Sequence, residues 1–208
     1  MNDARLVHLV DDDEAIRHSA SFMLRHAGFR VKTYPDGVAF LESVGEAERG
    51  CILLDVQMPG MDGLEVQEVL NQRGVAMPVI VLTGHGDVAV AVRAMKAGAT
   101  DFVEKPYAKQ TLVDALTRAF ERMEARRKEE VLAEEARGLI ERLTARERDV
   151  LLGLVEGHTN KVIAESLDIS PRTVEIHRAN LMEKMDAANL STVLRIAFAA
   201  GYGLSATP

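Results

Sequence analysis

Three aspartates, a threonine and a lysine stand in this chain where their side chains could act together. Asp11 and Asp12 follow the apolar run "LVHLV"; Asp55 ends "CILLD", Thr83 ends "VIVLT" and Lys105 follows "DFVE". Carboxylates brought together repel unless a cation joins them, and oxygen ligands that leave water on the metal suit Mg²⁺. A lysine and a hydroxyl nearby then suit a phosphoryl group, the ammonium supplying point charge and the hydroxyl a hydrogen bond. A carboxylate in such a setting can itself be the nucleophile, forming an aspartyl phosphate. Asp55 alone is equally an ordinary turn residue ahead of Pro59-Gly60. The chemistry therefore depends on whether the fold brings the five groups to one place.

The elements around these residues predict that it does. "RLVHLV" (5–10), "FRVKTY" (29–34), "CILLD" (51–55), "MPVIVLTG" and "DFVEKP" read as strands. Between them, "EAIRHSASFMLRHAG" (14–28), "DGVAFLESVG", "DGLEVQEVLNQRG" (62–74) and "DVAVAVRAMKAG" (87–98) carry helical spacing. Asp62 and Glu65 are spaced as a capping box, and Gly28 and Gly74 as helix stops. Strands alternating with helices imply a parallel sheet covered on both faces, a doubly wound α/β domain. Ligands bind such domains beyond the carboxyl ends of the strands. Four of the five strands end at the residues singled out above.

From Ala108 the pattern changes. About thirty residues run without proline or glycine, first with an apolar face at Leu112, Leu116, Ala119 and Met123, then with mixed charge. The charged part, 125–142, reads as a helical linker continuing the last helix of the first domain. The remainder, 143–208, reads as all-helical. Thr144 and Glu147 form a second capping box, Ser170 and Pro171 an N-cap and first helical residue, and "LDIS" a tight connection between two helices. That spacing is a helix-turn-helix.

Composition bounds the remaining possibilities. The 208 residues are 47% hydrophobic and 27% charged, ordinary for a soluble globular protein of two small domains. No apolar run approaches the roughly 18 residues of a membrane span. The N-terminus has no secretory pattern, and one cysteine, Cys51, makes no intramolecular disulfide. A cytoplasmic location is the expectation. The net charge of −7 divides as 13 basic against 19 acidic residues in 1–124, 5 against 5 in 125–142, and 7 against 8 in 143–208. No segment is strongly basic, so any nucleic-acid binding rests on locally placed cations. The six histidines show no ligand-like spacing, and His85 in "TGHGD" reads as a loop residue.

The ordered set "VDDDEAIR", "ILLDVQMPGMDGLE", "VLTGHGD" and "AGATDFVEKP" resembles the receiver domain of bacterial two-component response regulators. "LTARERDVL", "NKVIA" and "PRTVEIHRANLMEKM" resemble the LuxR/NarL-type helix-turn-helix, and the combination resembles the FixJ group. The resemblance covers nearly the whole chain except the linker. It implies a flavodoxin-like receiver over 1–124, the linker, and a four-helix DNA-binding domain over 143–208. It also implies that Asp55 is the phosphoacceptor, Asp12 a direct Mg²⁺ ligand, Asp11 a ligand acting mainly through water, and the backbone carbonyl of Gln57 a further ligand. Thr83 and Lys105 become the phosphate-sensing pair, Phe102 the switch aromatic, and the Lys105–Pro106 peptide bond cis. Asp13 matches no ligand position and reads as the N-cap of the first helix; Tyr107 stands where the FixJ group commonly has Phe.

In a helix-turn-helix the second helix enters the major groove. By the same resemblance, Glu175, Ile176 and Ala179 face base edges. Asn160, Lys161, Arg172, Thr173, His177 and Arg178 face phosphates and groove edges, while Val174, Leu181 and Met185 belong to the core. With a charge of only −1 over 143–208, one copy should bind DNA weakly, and paired copies on paired half-sites would compensate. The segment 87–98 is apolar nearly all round, which leaves one face for a partner. The expected partners are a sensor histidine kinase, promoter double-stranded DNA, RNA polymerase and a second copy on phosphorylation. The expected activity is self-catalysed phosphoryl acceptance and release, with no turnover of an outside substrate. An aspartyl-phosphate phosphatase would need a further acid or base next to its nucleophile, where this chain has Gln57.

Overall fold

The computed structural model describes residues 5–84 and 88–203; His85 and the expected helix start at Asp87 lie outside them. The chain divides into two compact units, 1–124 and 125–208.

The first unit is built on five parallel strands, β1 (Leu6–Val10), β2 (Arg30–Tyr34), β3 (Cys51–Asp55), β4 (Val79–Thr83) and β5 (Asp101–Glu104). Their order is β2-β1-β3-β4-β5. Four helices connect them: α1 (Glu14–His26), α2 (Gly37–Ser43), α3 (Gly63–Gln72) and α4 (Val88–Lys96). A fifth, α5 (Lys109–Glu141), follows β5. Period-two alternation along the strands sorts their side chains onto two faces. Ile52, Leu54, Val79 and Val81 pack with Leu64, Leu70 and Ala94 on one face. Leu9, Leu53, Ile80 and Leu82 pack with Leu24, Leu112, Leu116 and Phe120 on the other. Each fully buried leucine contributes about 2 kcal/mol of transfer free energy.

Local chemistry sets the helix starts. Asp13 caps α1 through the Ala15 and Ile16 amides, and Asp62 and Glu65 close the capping box that starts α3. His8, on buried β1, is held by Tyr34 Oη at 3.1 Å and by the Glu48 carbonyl at 2.9 Å. A carbonyl only accepts, so His8 Nε2 carries the proton. Burial holds its pKa below the ordinary value.

The helix α5 is continuous for 33 residues. Its first half supplies Leu112, Ala115, Leu116 and Phe120 to the first unit. Its last turns place Ile140 in the core of the second unit. That unit contains α6 (Ala145–Val155), α7 (Asn160–Leu167), α8 (Pro171–Lys184) and α9 (Leu190–Ala199). Thr144 and Glu147 form the capping box of α6, and Ser170 caps α8 with Pro171 at its first position. Val174, Leu181 and Met185 are buried, as their expected core role requires. Among the described residues, no helix is long and apolar enough to cross a membrane.

Candidate functional site

Strand register alone assembles the site. Val10 pairs with Leu54, so the next residues, Asp11 and Asp55, emerge side by side at the sheet edge. Asp55 pairs with Leu82 and Thr83 with Glu104, which sets Thr83 one residue further along and Lys105 immediately after. The Lys105 amide donates to the Thr83 carbonyl at 2.8 Å, extending the ladder to the site. Ligand oxygens of Asp11, Asp12 and Asp55 lie within 4.8 Å of one another. Lys105 Nζ sits between two of them, 2.7 Å from Asp11 Oδ2 and 3.0 Å from Asp55 Oδ2. Asp11 and Asp55 are buried, and Asp12 is exposed at the mouth.

The electrostatics are unbalanced. Burial pushes the Asp55 carboxyl above the ordinary aspartate value; Lys105 and the Gln57 backbone N–H oppose this, and Asp11 adds to it. Burial would lower the Lys105 ammonium, but its hydrogen bonds and charge contacts with Asp11 and Asp55 win and raise it. One ammonium thus serves two buried carboxylates, with the Asp12 carboxylate beside them. A divalent cation beside Asp12 would correct that deficit, and the all-oxygen donor set is the kind Mg²⁺ takes. The three aspartates therefore fit the ion.

Several supports were not anticipated from the sequence. Arg17 Nη1 donates to the Asp11 carbonyl at 2.7 Å, and Asp11 Oδ1 accepts from the Asp13 amide at 2.9 Å, fixing the carboxylate's rotamer. Gly63 starts α3 so close to β3 that a Cβ would stand 2.2 Å from the Asp55 carbonyl oxygen. The motif "MDGLE" carried that signal, because a glycine directly after an N-cap has no helix-propensity reason to be there. The Lys105–Pro106 bond, expected from the sequence to be cis, is cis.

Behind Thr83 the structure opens into a groove of about 400 Å³, lined by Thr83, Phe102, Val88, Ala91, Val92 and Met95 among others. Thr83 is buried, whereas Phe102 is 45% exposed. A phenylalanine on a short strand can also serve as core, and its exposure here excludes that role. Helix α4 inverts the usual pattern. Two of its alanines, Ala91 and Ala94, are buried and Val90 packs partly against the core, while Val88, Val92 and Met95 are exposed. These three side chains thus form an uncovered face together with Phe102.

In the second unit, Arg172, Glu175, Ile176 and Ala179 are exposed along α8, and spacings of three and four residues put them on one face. Lys161 is exposed on α7. Thr173 Oγ1 lies 2.9 Å from Ser170 Oγ, so its hydroxyl is engaged in the cap. Arg178 Nη1 donates to Asn160 Oδ1 at 2.5 Å, tying together two residues expected to contact phosphates separately. His177 is half-buried. Glu147, 3% exposed, accepts Lys184 Nζ on both carboxylate oxygens, at 2.9 and 2.7 Å, and thereby joins the start of α6 to the end of α8.

Residues 7–117 match the response regulator receiver domain, and residues 141–197 match the luxR family of bacterial regulatory proteins. This chain belongs to the two-component response regulators that carry a LuxR-type DNA-binding domain. It is 46% identical to the transcriptional regulatory protein FixJ of Rhizobium meliloti, covering 96% of this chain and 98% of that protein. It is 40% identical to the tetrathionate response regulatory protein TtrR of Salmonella typhimurium, covering 91% and 90%. Among solved structures, full-length FixJ from B. japonicum aligns with a TM-score of 0.61 at 42% identity, covering 95% of this chain and 97% of that one. The response regulator StyR aligns with a TM-score of 0.76 at 37% identity, covering 94% and 98%. The regulator is thus a receiver joined to a DNA-binding domain, and its function is transcription regulation.

Proposed function

We propose that Asp55 is the phosphoacceptor of this response regulator, and that its phosphorylation drives receiver pairing and promoter binding. The observation that carries the reading is the convergence of Asp11, Asp12 and Asp55 with the Lys105 ammonium bridging two of them. A carboxylate oxygen of Asp55 attacks the phosphorus of a phosphohistidine on a sensor kinase. The P–N bond breaks, its electron pair stays on the imidazole, and a proton from solvent leaves that ring neutral. The product is an aspartyl phosphate, later hydrolysed by water to Asp55 and inorganic phosphate. Asp12, Asp55 and the Gln57 carbonyl would hold Mg²⁺ directly and Asp11 would act through its water. The ion supplies positive charge against the phosphoryl oxygens. Lys105 swings its ammonium from Asp55 to a phosphoryl oxygen, and Thr83 donates its hydroxyl to another. The regulator turns over no other substrate.

Phosphorylation adds roughly −1.5 to −2 charges at the site. Thr83 moves toward them, and Phe102 turns into the groove that both residues line. The outer face of α4 and β5 is reshaped, and two receivers pair through it. Paired receivers bring two copies of α8 to half-sites about one helical turn apart. There Glu175 accepts from cytosine amino groups, Ile176 and Ala179 meet thymine methyls, and Lys161, Arg172, Thr173 and His177 contact backbone, with the Asn160–Arg178 pair presented as a unit. RNA polymerase is the downstream partner, and the cytoplasm the location.

Acetyl phosphate with Mg²⁺, mass spectrometry and size-exclusion chromatography test this directly. The wild type should gain one phosphoryl group at Asp55 and dimerise. Equal dimerisation and equal DNA affinity with and without phosphodonor would replace this mechanism with a phosphate-independent one.

A further inference from the structure

Helix α4 has two dissimilar ends. Its C-terminal end leaves carbonyls without intrahelical donors, as every helix does. Here two amide side chains of α3, one helical turn apart, reach across to take them. Gln67 Nε2 donates to the Ala94 carbonyl at 3.2 Å, and Asn71 Nδ2 donates to the Ala97 carbonyl at 2.7 Å. Ala94 also accepts the Ala99 amide at 3.0 Å, across the turn at Gly98, whose φ is +93°. Gln67 is 1% exposed, and its Oε1 is buried with no partner among the described residues. The amide cannot be reversed to relieve this, since a carbonyl opposite Ala94 would set two acceptors against each other.

Burying a polar atom without a partner is unfavourable, and a leucine would fill the same space without that penalty. Packing therefore does not explain Gln67, but its grip on α4 does. The other half of α4 carries the exposed Val88 and Val92 and lines the groove with Thr83 and Phe102. We propose that Gln67 and Asn71 are a positioning pair that pins the C-terminal end of α4, so that the phosphorylation-dependent change becomes a pivot of α4 about that end. A pinned helix converts a small displacement near Thr83 into a defined reorientation of Val88 and Val92. An unpinned one absorbs the same displacement by sliding.

This inference rests on the phosphorylation-dependent pairing proposed above, and the test separates the two. Full-length wild type is measured first; absence of any acetyl-phosphate effect on its dimer dissociation constant sinks the pairing reading, whatever the pin does. The variants are Gln67→Leu and Asn71→Ala, the second at an exposed position where folding is not at risk. In unphosphorylated protein, hydrogen exchange of the amides from 97 to 100 should accelerate about tenfold in each. Labelling of Asp55 should be unchanged. The ratio of dimer dissociation constants with and without acetyl phosphate should shrink about fivefold. Unchanged exchange overturns the pin. Accelerated exchange with an unchanged ratio also overturns the proposal, because the pair would then only support the fold.

Discussion

Two lysines in this regulator hold buried carboxylates, and the surroundings drive those carboxylates in opposite directions. In the second unit Lys184 meets a single partner, Glu147, with both oxygens engaged and the Thr144 backbone N–H and hydroxyl completing the shell. Burial alone would raise that carboxyl, but Lys184 and Thr144 hold it below the ordinary glutamate value. In the first unit Lys105 is divided between Asp11 and Asp55 with Asp12 beside them, and burial leaves the Asp55 carboxyl raised. The first arrangement is a closed lock, and the second is short of positive charge. A buried pair whose demands are met fixes structure. A cluster whose demands are unmet is held ready for a further cation and for a change of charge.

The comparison can be broken most decisively at Asp55. Asp55→Asn should abolish covalent labelling by acetyl phosphate and with it every phosphodonor-dependent change in size. Undiminished label in that variant would move the reactive deficit elsewhere. Removing the acid of the closed pair should have a different consequence. Glu147→Ala leaves the partly exposed Lys184 without its partner and α6 without its capping box, and should destabilise the second unit by about 1–2 kcal/mol in urea titration. Asp55→Asn should cost the first unit nothing or stabilise it; comparable losses from the two substitutions would erase the distinction.

Mg²⁺ should sharpen the contrast. At a hundredfold excess over its dissociation constant it should stabilise the first unit by about 2.7 kcal/mol, read by calorimetry, and leave the second unchanged. Asp12→Ala should remove that gain. The smallest effect is the response to acid, measured in chelator. Glu147, lowered from 4.5, contributes stability that is present above that value and lost as pH falls through its folded pKa. Asp55, raised from 3.8, has the opposite sign: its folded form binds the proton more tightly, so its contribution rises as pH falls through the raised value. Stability differences against Glu147→Gln and Asp55→Asn should therefore slope in opposite directions, and parallel slopes would contradict both assignments.

The open cluster was far more legible in the sequence than the closed lock. Asp11, Asp55 and Thr83 end apolar runs, and strand ends in a parallel sheet converge by geometry, so position in sequence stood in for position in space. Lys184 gave no such signal, because a lysine in the last turn of a mixed-charge helix looks like any solvated one. Glu147 was recognised as a cap but not as half of an ion pair, since its partner lies 37 residues away. For α4, periodicity showed an all-round apolar helix without saying which side was covered. The answer, Ala91 and Ala94 inside with Val88, Val92 and Met95 outside, depends on how closely α4 lies against the sheet. Gln67 was invisible for a related reason: a glutamine among leucines and valines on α3 declares itself only once its distance to α4 is known. Sheet order, strand register and the exposure of Phe102 are likewise properties of the assembled sheet.

The order β2-β1-β3-β4-β5 has a consequence for how the regulator is made. Its aspartate, threonine and lysine cluster draws on four strands, and the last contribution, Lys105, comes after β5, when the first unit is nearly complete on the ribosome. A chain released early would present its aspartates without the lysine that restrains them. No fragment ending before Lys105 carries the full set, so the cluster is complete only once all five strands have been made.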